Sequence, residues 1–204
     1  MGTRTRSSRE RIIEATSELL DLQGYHGTGL NQILRTSHAP KGSLYHHFPG
    51  GKDELTVTAL REASSVVLSN INHALAGDEP AWKVIPDFIR RIAAGVVESG
   101  FRAGGPVTTV ALETASTNPV IRDECSRIYR QWRQAFAVRL ERERCTQAQS
   151  NQIAQLIVAG IEGGIMLSRC DRDPEPLHAV AEQMARLLLQ RAASVSMASG
   201  RRNR

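Results

Sequence analysis

An all-α fold, with a small helical head followed by a larger helical domain, is predicted by three features of the sequence. Apolar residues recur at helical spacing along most of the chain, and no convincing run of period-two alternation occurs. The composition is 41% hydrophobic but only 4% aromatic, with Ala, Leu, Ile, Arg and Gln filling most of the chain, which favours helices over sheets. Proline and glycine clusters break the pattern at positions 49–51, 76–80, 100–106, 118–119 and 173–174. At 204 residues the chain is long enough for one large domain or two small ones, and its net charge of +5 permits a polyanionic partner without specifying one.

Residues 1–7 place Arg4 and Arg6 among Gly, Thr and Ser, a composition that buries no core and reads as a flexible basic arm. Ser7-x-x-Glu10 is a capping box opening the first helix. Ile12, Ile13, Ala15, Leu19, Leu20 and Leu22 give that helix a broad apolar stripe, and Gly24 supplies its stop. Leu30, Ile33 and Leu34 mark a second helix of barely two turns, too short to stand alone, which must dock on the first.

The most informative stretch runs from Pro40 to Phe48. Pro40 suits the first turn of a short helix, where its missing N–H costs nothing. Leu44 and Phe48 lie four apart and face inward, so Lys41, Gly42, Ser43, Tyr45 and His46 point elsewhere. Packing of Ile12, Leu19, Ile33, Leu44 and Phe48 makes one three-helix core of the helix-turn-helix kind. The outward face is polar, partly aromatic and basic. Lys41 can meet phosphate, Gly42 lets the backbone come close, and Ser43, Tyr45 and His46 can hydrogen-bond phosphates or base edges, so this is a candidate recognition helix. Lys52-Asp53-Glu54 opens a long helix carrying Leu55, Leu60, Val67, Ile71 and Leu75; its acidic first turn suits the helix dipole, and Lys52 is a further candidate phosphate contact.

Residues 12–55, about a quarter of the chain, resemble the DNA-binding domain of the tetracycline-repressor (TetR) family of transcription regulators. The resemblance is carried by the first helix ending at Gly24-Tyr25, the Gly27-Thr28 turn, Ile33, the run Lys41-Gly42-Ser43-Leu44-Tyr45-His46-His47-Phe48, and Lys52. The continuation Phe48-Pro49-Gly50-Gly51-Lys52, with Gly105-Pro106-Val107 to Glu113, resembles a subgroup that includes lincomycin-resistance repressors. Two positions depart from the family pattern. Gly29 stands where Ser or Thr usually caps the second helix, leaving Thr28 or Gly29 to do so less well. His38 stands where the turn usually has Gly; a His can occupy a left-handed conformation, but at a cost that Gly avoids.

The resemblance implies a DNA-binding head at residues 1–52, with the arm at 1–7, a helical ligand-binding and dimerisation domain at 53–194, and a flexible tail at 195–204. It also implies a dimer on a palindromic double-stranded operator, released by a small-molecule inducer. The expected DNA-binding residues are Thr28, Pro40, Lys41, Gly42, Ser43, Tyr45, His46, His47 and Lys52.

Helices are expected at 82–97, in a short segment after Pro106, and at 119–144, 148–169 and 174–193. Ile121, Ile128, Trp132, Phe136 and Leu140 share one stripe, which is core or a pocket wall. The large apolar side chains available to line a ligand pocket are Trp82, Phe88, Phe101, Val110, Trp132, Phe136 and Met166, with Glu113 to orient a ligand; the same side chains would equally fill a core. For dimerisation, Ile153, Leu156, Ile157, Gly160 and Gly164 on one helix and Val180, Met184, Leu187 and Leu188 on the next give apolar faces broad enough for a four-helix bundle across a two-fold axis. Gly160 and Gly164 are read as letting the partner helix come close. The alternative to a ligand-responsive repressor is a constitutive DNA-binding protein whose C-terminal bundle only dimerises.

Enzymatic chemistry finds no support in the residues. His46 and His47 are adjacent, about 100° apart on a helix, and cannot easily share a metal or a proton. No nucleophile elbow, zinc-protease motif, phosphate-cradling loop or dinucleotide fingerprint occurs, and Gly160, Gly163 and Gly164 follow no strand. No catalytic residue, metal or cofactor is expected. Cys125, Cys145 and Cys170 are widely spaced and read as reduced and structural. With no signal-peptide core and no apolar run read as long enough to span a membrane, a cytoplasmic protein is expected.

Overall fold

The computed structural model describes the backbone of residues 6–102 and 104–202, and the side chains of these as far as Ser194. Among the described residues it is all-helical: α1 (Ser8–Gly27), α2 (Leu30–Ser37), α3 (Lys41–His47), α4 (Gly51–Ala74), α5 (Ala81–Glu98), α6 (Pro106–Thr114), α7 (Pro119–Glu141), α8 (Gln147–Asp171) and α9 (Glu175–Arg202). Two compact units divide the chain, one of residues up to Val66 with Gly105–Ile128, the other of Val67–Gly104 with Tyr129 onward. The division is discontinuous, unlike the linear boundary at residue 52 drawn from the sequence, because α6 packs on α1.

In the first unit, Ser7 caps α1 by accepting from the Glu10 amide, and Glu10 returns the bond to the Ser7 amide at 2.7 Å. Ile12, Leu19, Ile33, Leu44 and Phe48 are all buried, together with Ile13 and Leu20. Gly24, at φ 72° and ψ −175°, ends the regular part of α1, and a further turn follows to Gly27. The core extends beyond the three-helix head to Leu55 and Leu60 of α4, Val107 and Val110 of α6, and Ile121 and Ile128 of α7. Glu124 of α7 is 5% exposed and pairs with Arg61 of α4 at 2.9 Å and with Arg127. Burial works against its charge, but these two guanidinium groups outweigh it and hold the carboxyl below its ordinary pKa. Burial pushes the neighbouring Cys125 thiol up to about 11, with Glu124 adding to the effect.

In the second unit, α5 packs on α9 and α8, and α8 on α9. A capping box of Thr146 and Gln149 starts α8. Ile85, Ile89, Ile157, Leu177 and Ala181 are fully buried, and Phe88 meets Phe136 edge-to-face at 6.0 Å. Gly160 and Gly164 face α9 of the same chain: a Cβ at Gly164 would lie 2.8 Å from Leu177 Cδ2, and one at Gly160 3.1 Å from Val180 Cγ1.

α9 runs to Arg202, past the boundary at residue 194 drawn from the sequence, with no proline to stop it. The α8 segment is, by length and composition, apolar enough to cross a membrane, although no such run was read from the sequence; only 33% of its most apolar window is buried. Cys170 is exposed, whereas Cys125 and Cys145 are buried. Of the basic arm, Arg4 lies outside the described residues, and Arg6 pairs with Glu14 on α1.

Candidate nucleic-acid interface

The turn leading into α3 is built from backbone carbonyls and one arginine. His38 ends α2 at φ 50° and ψ 31°, the left-handed conformation its position requires. Arg11 of α1 braces this corner, its Nε donating to the Ser37 carbonyl at 3.0 Å and Nη2 to that of His38 at 3.5 Å. No local spacing signals this role, since Arg11 and the turn are 26 residues apart. Pro40 is the N-cap of α3, one position earlier than a first-turn proline, and is exposed.

From this corner α3 presents two faces. Leu44 and Phe48 are 0% and 1% exposed and fix the helix to the core, while the Arg9 guanidinium sits 5.8 Å from the Phe48 ring centre. Lys41, Gly42, Tyr45 and His46 are exposed, and Ser43 and His47 are half-buried. The His46 and His47 rings meet edge-to-face at 5.0 Å. A Cβ added at Gly42 would meet nothing within 4 Å, so the fold itself makes no demand for glycine there. Glycine inside a helix costs roughly 1 kcal/mol relative to alanine.

Two expected contacts are placed differently. Thr28 is 1% exposed and its hydroxyl donates to the Gly24 carbonyl at 2.7 Å, which leaves no side-chain atom for a partner outside. It braces the α1 kink instead, and α2 starts at Gly29 without a side-chain cap. Lys52 is half-buried, with Nζ 4.1 Å from the centre of the Tyr25 ring. Burial lowers its pKa, against the pull of Asp53 and Glu113 in the other direction.

Beneath this surface a polar cluster locks the end of α1 to α4, α6 and α7. The Tyr25 hydroxyl donates to one carboxylate oxygen of Asp53, and the other accepts from Asn118 Nδ2 at 2.8 Å. Asn118 also accepts from the Ile121 amide at 3.2 Å, opening α7. Burial, and then the bond to Asp53, push the Tyr25 hydroxyl up to about 12. Glu113 accepts from the His26 amide at 2.8 Å, and a Cβ on Gly24 would fall 1.7 Å from its Oε1.

The residues expected to line a ligand pocket are divided between the two units. Val110 and Glu113 belong to the first unit, where Val110 is fully buried and Glu113 is held by α1. Phe88, Trp132 and Phe136 are core side chains, Trp82 and Met166 are 36% and 53% exposed, and Phe101 is a half-buried residue at φ 61° under the Arg172 guanidinium. A groove of about 560 Å³ in the second unit is lined instead by Leu68, Asn72, Leu75, Ala76, Gln131, Gln134, Ala135, Val138, Arg139 and Arg142 of α4, its C-terminal end and α7. Of the residues expected at a dimer interface, Ile157, Gly164, Met184 and Leu188 are buried within the chain, while Ile153, Gly160 and Val180 are half-buried. Leu156 and Leu187 remain exposed, joined by Met166, Leu167 and Leu189, of which Leu167 and Leu189 were not anticipated.

Two family models match the chain. One, for bacterial regulatory proteins of the tetR family, matches residues 12–58, and one for the C-terminal domain of LmrA/YxaF-like transcriptional regulators matches residues 81–183. An uncharacterized HTH-type transcriptional regulator of Bacillus subtilis, YxaF, is 40% identical, with 87% of this chain and 93% of that protein covered. The HTH-type regulator LmrA of Bacillus subtilis is 35% identical, over 83% of this chain and 90% of its own. Among solved structures, a cysteine mutant of the TetR-family regulator CifR in complex with a 26-base-pair operator DNA superposes with a TM-score of 0.75, at 21% identity, covering 91% of this chain and 98% of that one. These families and relatives are transcription regulators and not enzymes. A helix-turn-helix head with an exposed basic and aromatic α3, continuous with an LmrA/YxaF-like helical domain, thus places this chain in the TetR family of DNA-binding transcription regulators.

Proposed function

We propose that this regulator is a cytoplasmic, dimeric repressor that reads a palindromic operator with α3 and is released from it by a small, largely apolar molecule. The observation that carries the DNA-reading role is the exposed face of Lys41, Gly42, Tyr45 and His46, and above all Gly42, whose missing side chain answers to nothing inside the fold. Glycine there suits a helix that another molecule must approach closely. Lys41 supplies a phosphate contact, Tyr45 and His46 supply hydrogen bonds to phosphate or base edges, and Ser43 and His47 stand at the rim.

One short helix covers only a few base pairs, so specificity asks for two heads on a two-fold site. Leu156 and Leu167, 48% and 49% exposed, recur with half-buried Gly163 on one side of α8, and Leu187 of α9 is 36% exposed. An apolar stripe of this kind on a helix supports a second copy of the chain as its cover.

The discriminating experiment is Gly42→Leu, measured for stability and for binding to the regulator's own promoter fragment. With open space at the Cβ, the variant keeps wild-type stability or gains up to about 1 kcal/mol from better helix propensity. Operator binding should fall by an order of magnitude or more, on the order of 1.4 kcal/mol per tenfold. Undiminished affinity would remove α3 from the interface.

A further inference from the structure

We infer that the groove on the second-unit parts of α4 and α7 is a binding site for an amphipathic carboxylate, a small molecule with an apolar body and one carboxylate head. This rests on the ligand-responsive reading above and gives it a site and a ligand chemistry. The floor is apolar, made by Leu68, Leu75, Ala76, Ala135 and Val138, and the volume of about 560 Å³ lies within the range of small-molecule sites. Asn72, Gln131 and Gln134 contribute amides to the lining.

What fixes the sign of the ligand is Arg142. Arg139 of α7 and Arg142, just past its end, are three residues apart and both line the groove. Arg139 is 4% exposed, and its Nη1 pairs with Glu143 at 2.9 Å while Nη2 donates to the Glu79 carbonyl. Its Nε is buried with no hydrogen-bond partner. Glu143 answers the Arg139 charge, and its Oε1 also accepts from the Ala81 amide at 2.6 Å. A carboxylate in the groove would instead meet the Arg142 guanidinium, whose charge and planar geometry suit it. Arg142 is exposed and supplies the positive charge of the groove. A neutral apolar molecule would satisfy the floor and leave this charge unanswered.

The test uses the full-length protein without DNA, with decanoate as the probe and decanol as its neutral counterpart, followed by isothermal titration calorimetry. Decanoate should bind at least about tenfold more tightly than decanol, the order expected for one charge-assisted hydrogen bond. Arg142→Gln should weaken decanoate about tenfold and leave decanol unchanged, and Ala135→Phe, which fills the floor, should abolish both. Circular dichroism shows whether each variant is folded, and Arg142→Gln changes an exposed side chain outside the core. Equal binding of the two probes, or decanoate binding indifferent to both substitutions, overturns the inference. The repressor reading is tested separately by operator release. Release by some other molecule while decanoate fails to bind would sink this site alone, and decanoate binding at the groove without release by any ligand would sink the inducible reading while leaving the site.

Discussion

Gly24→Ala addresses the joint on which the head is assembled. Gly24 sits at φ 72° and ψ −175°, a region open essentially to glycine alone, and holding alanine there costs about 1–3 kcal/mol. The new Cβ would also fall 1.7 Å from Glu113 Oε1 and 2.6 Å from its Cδ, so the carboxylate must leave. Its bond to the His26 amide is then lost, worth about 0.5–1.5 kcal/mol. The two effects sum to roughly 2–4 kcal/mol, which at an m-value near 2 kcal/mol/M moves the urea midpoint down by about 1–2 M. Glu113→Ala alone should cost only the hydrogen bond. In the double variant the overlap disappears but the backbone strain stays, so its destabilisation should be smaller than the sum of the singles by about 1 kcal/mol. A Gly24→Ala midpoint within experimental error of wild type would refute the backbone argument, and strict additivity would refute the contact with Glu113.

Other outcomes follow from the same geometry. Lys41→Ala should weaken binding to every DNA sequence and reduce the slope of log K against log salt by about 0.9, as expected for one lost phosphate contact, read by fluorescence anisotropy from 50 to 200 mM salt. Raised above its ordinary 10 to about 12 in the folded chain, the Tyr25 hydroxyl favours folding in its neutral form. Its contribution is full below pH 10 and is lost as pH climbs to about 12, so a spectrophotometric titration should find one tyrosine ionising late. Tyr25→Phe should flatten the alkaline decline in stability over that window; an unchanged decline would show that Tyr25 is not its source. Leu167→Arg places a charge on the exposed side of α8 without touching the core, and should yield a folded monomer by light scattering with weakened operator binding. A variant that stayed dimeric would move the interface elsewhere.

Where a contact lies within a few residues of its cause, the sequence already displays it. Leu44 and Phe48 are four apart, so the buried side of α3, and with it the exposed Lys41, Tyr45 and His46, can be read from helical period alone. The capping box at Ser7 and Glu10 is equally local. Gly24 is legible as a break, but its partner Glu113 is 89 positions further on and no periodic pattern joins them. The same limit governs Thr28, a residue of ordinary surface type whose hydroxyl is turned inward to the Gly24 carbonyl. Gly160 and Gly164 do mark a close helix approach, yet spacing cannot say whether the approaching helix is in the same chain. Leu177 and Val180, packed against those two glycines, decide that it is.

Whether a large apolar side chain lines space or fills it is equally illegible in a sequence. Trp82, Phe88, Trp132 and Phe136 are large enough to wall a ligand, but in a close-packed interior large side chains also remove space. Phe88 and Phe136 fill their volume against each other at 6.0 Å, and Trp132 is closed off by Tyr129 at 5.4 Å. A groove forms where side chains are short relative to the gap between neighbouring segments, here at Ala76, just past the end of α4, and Ala135 of α7, with longer polar residues around them. The informative pattern is therefore a small residue on a helix, and another just past the end of a second helix, with a basic residue close by, as Ala135 stands four positions before Arg139 and seven before Arg142. Enlarging Ala135 tests this directly, because a phenylalanine there removes the space while leaving every charged group in place.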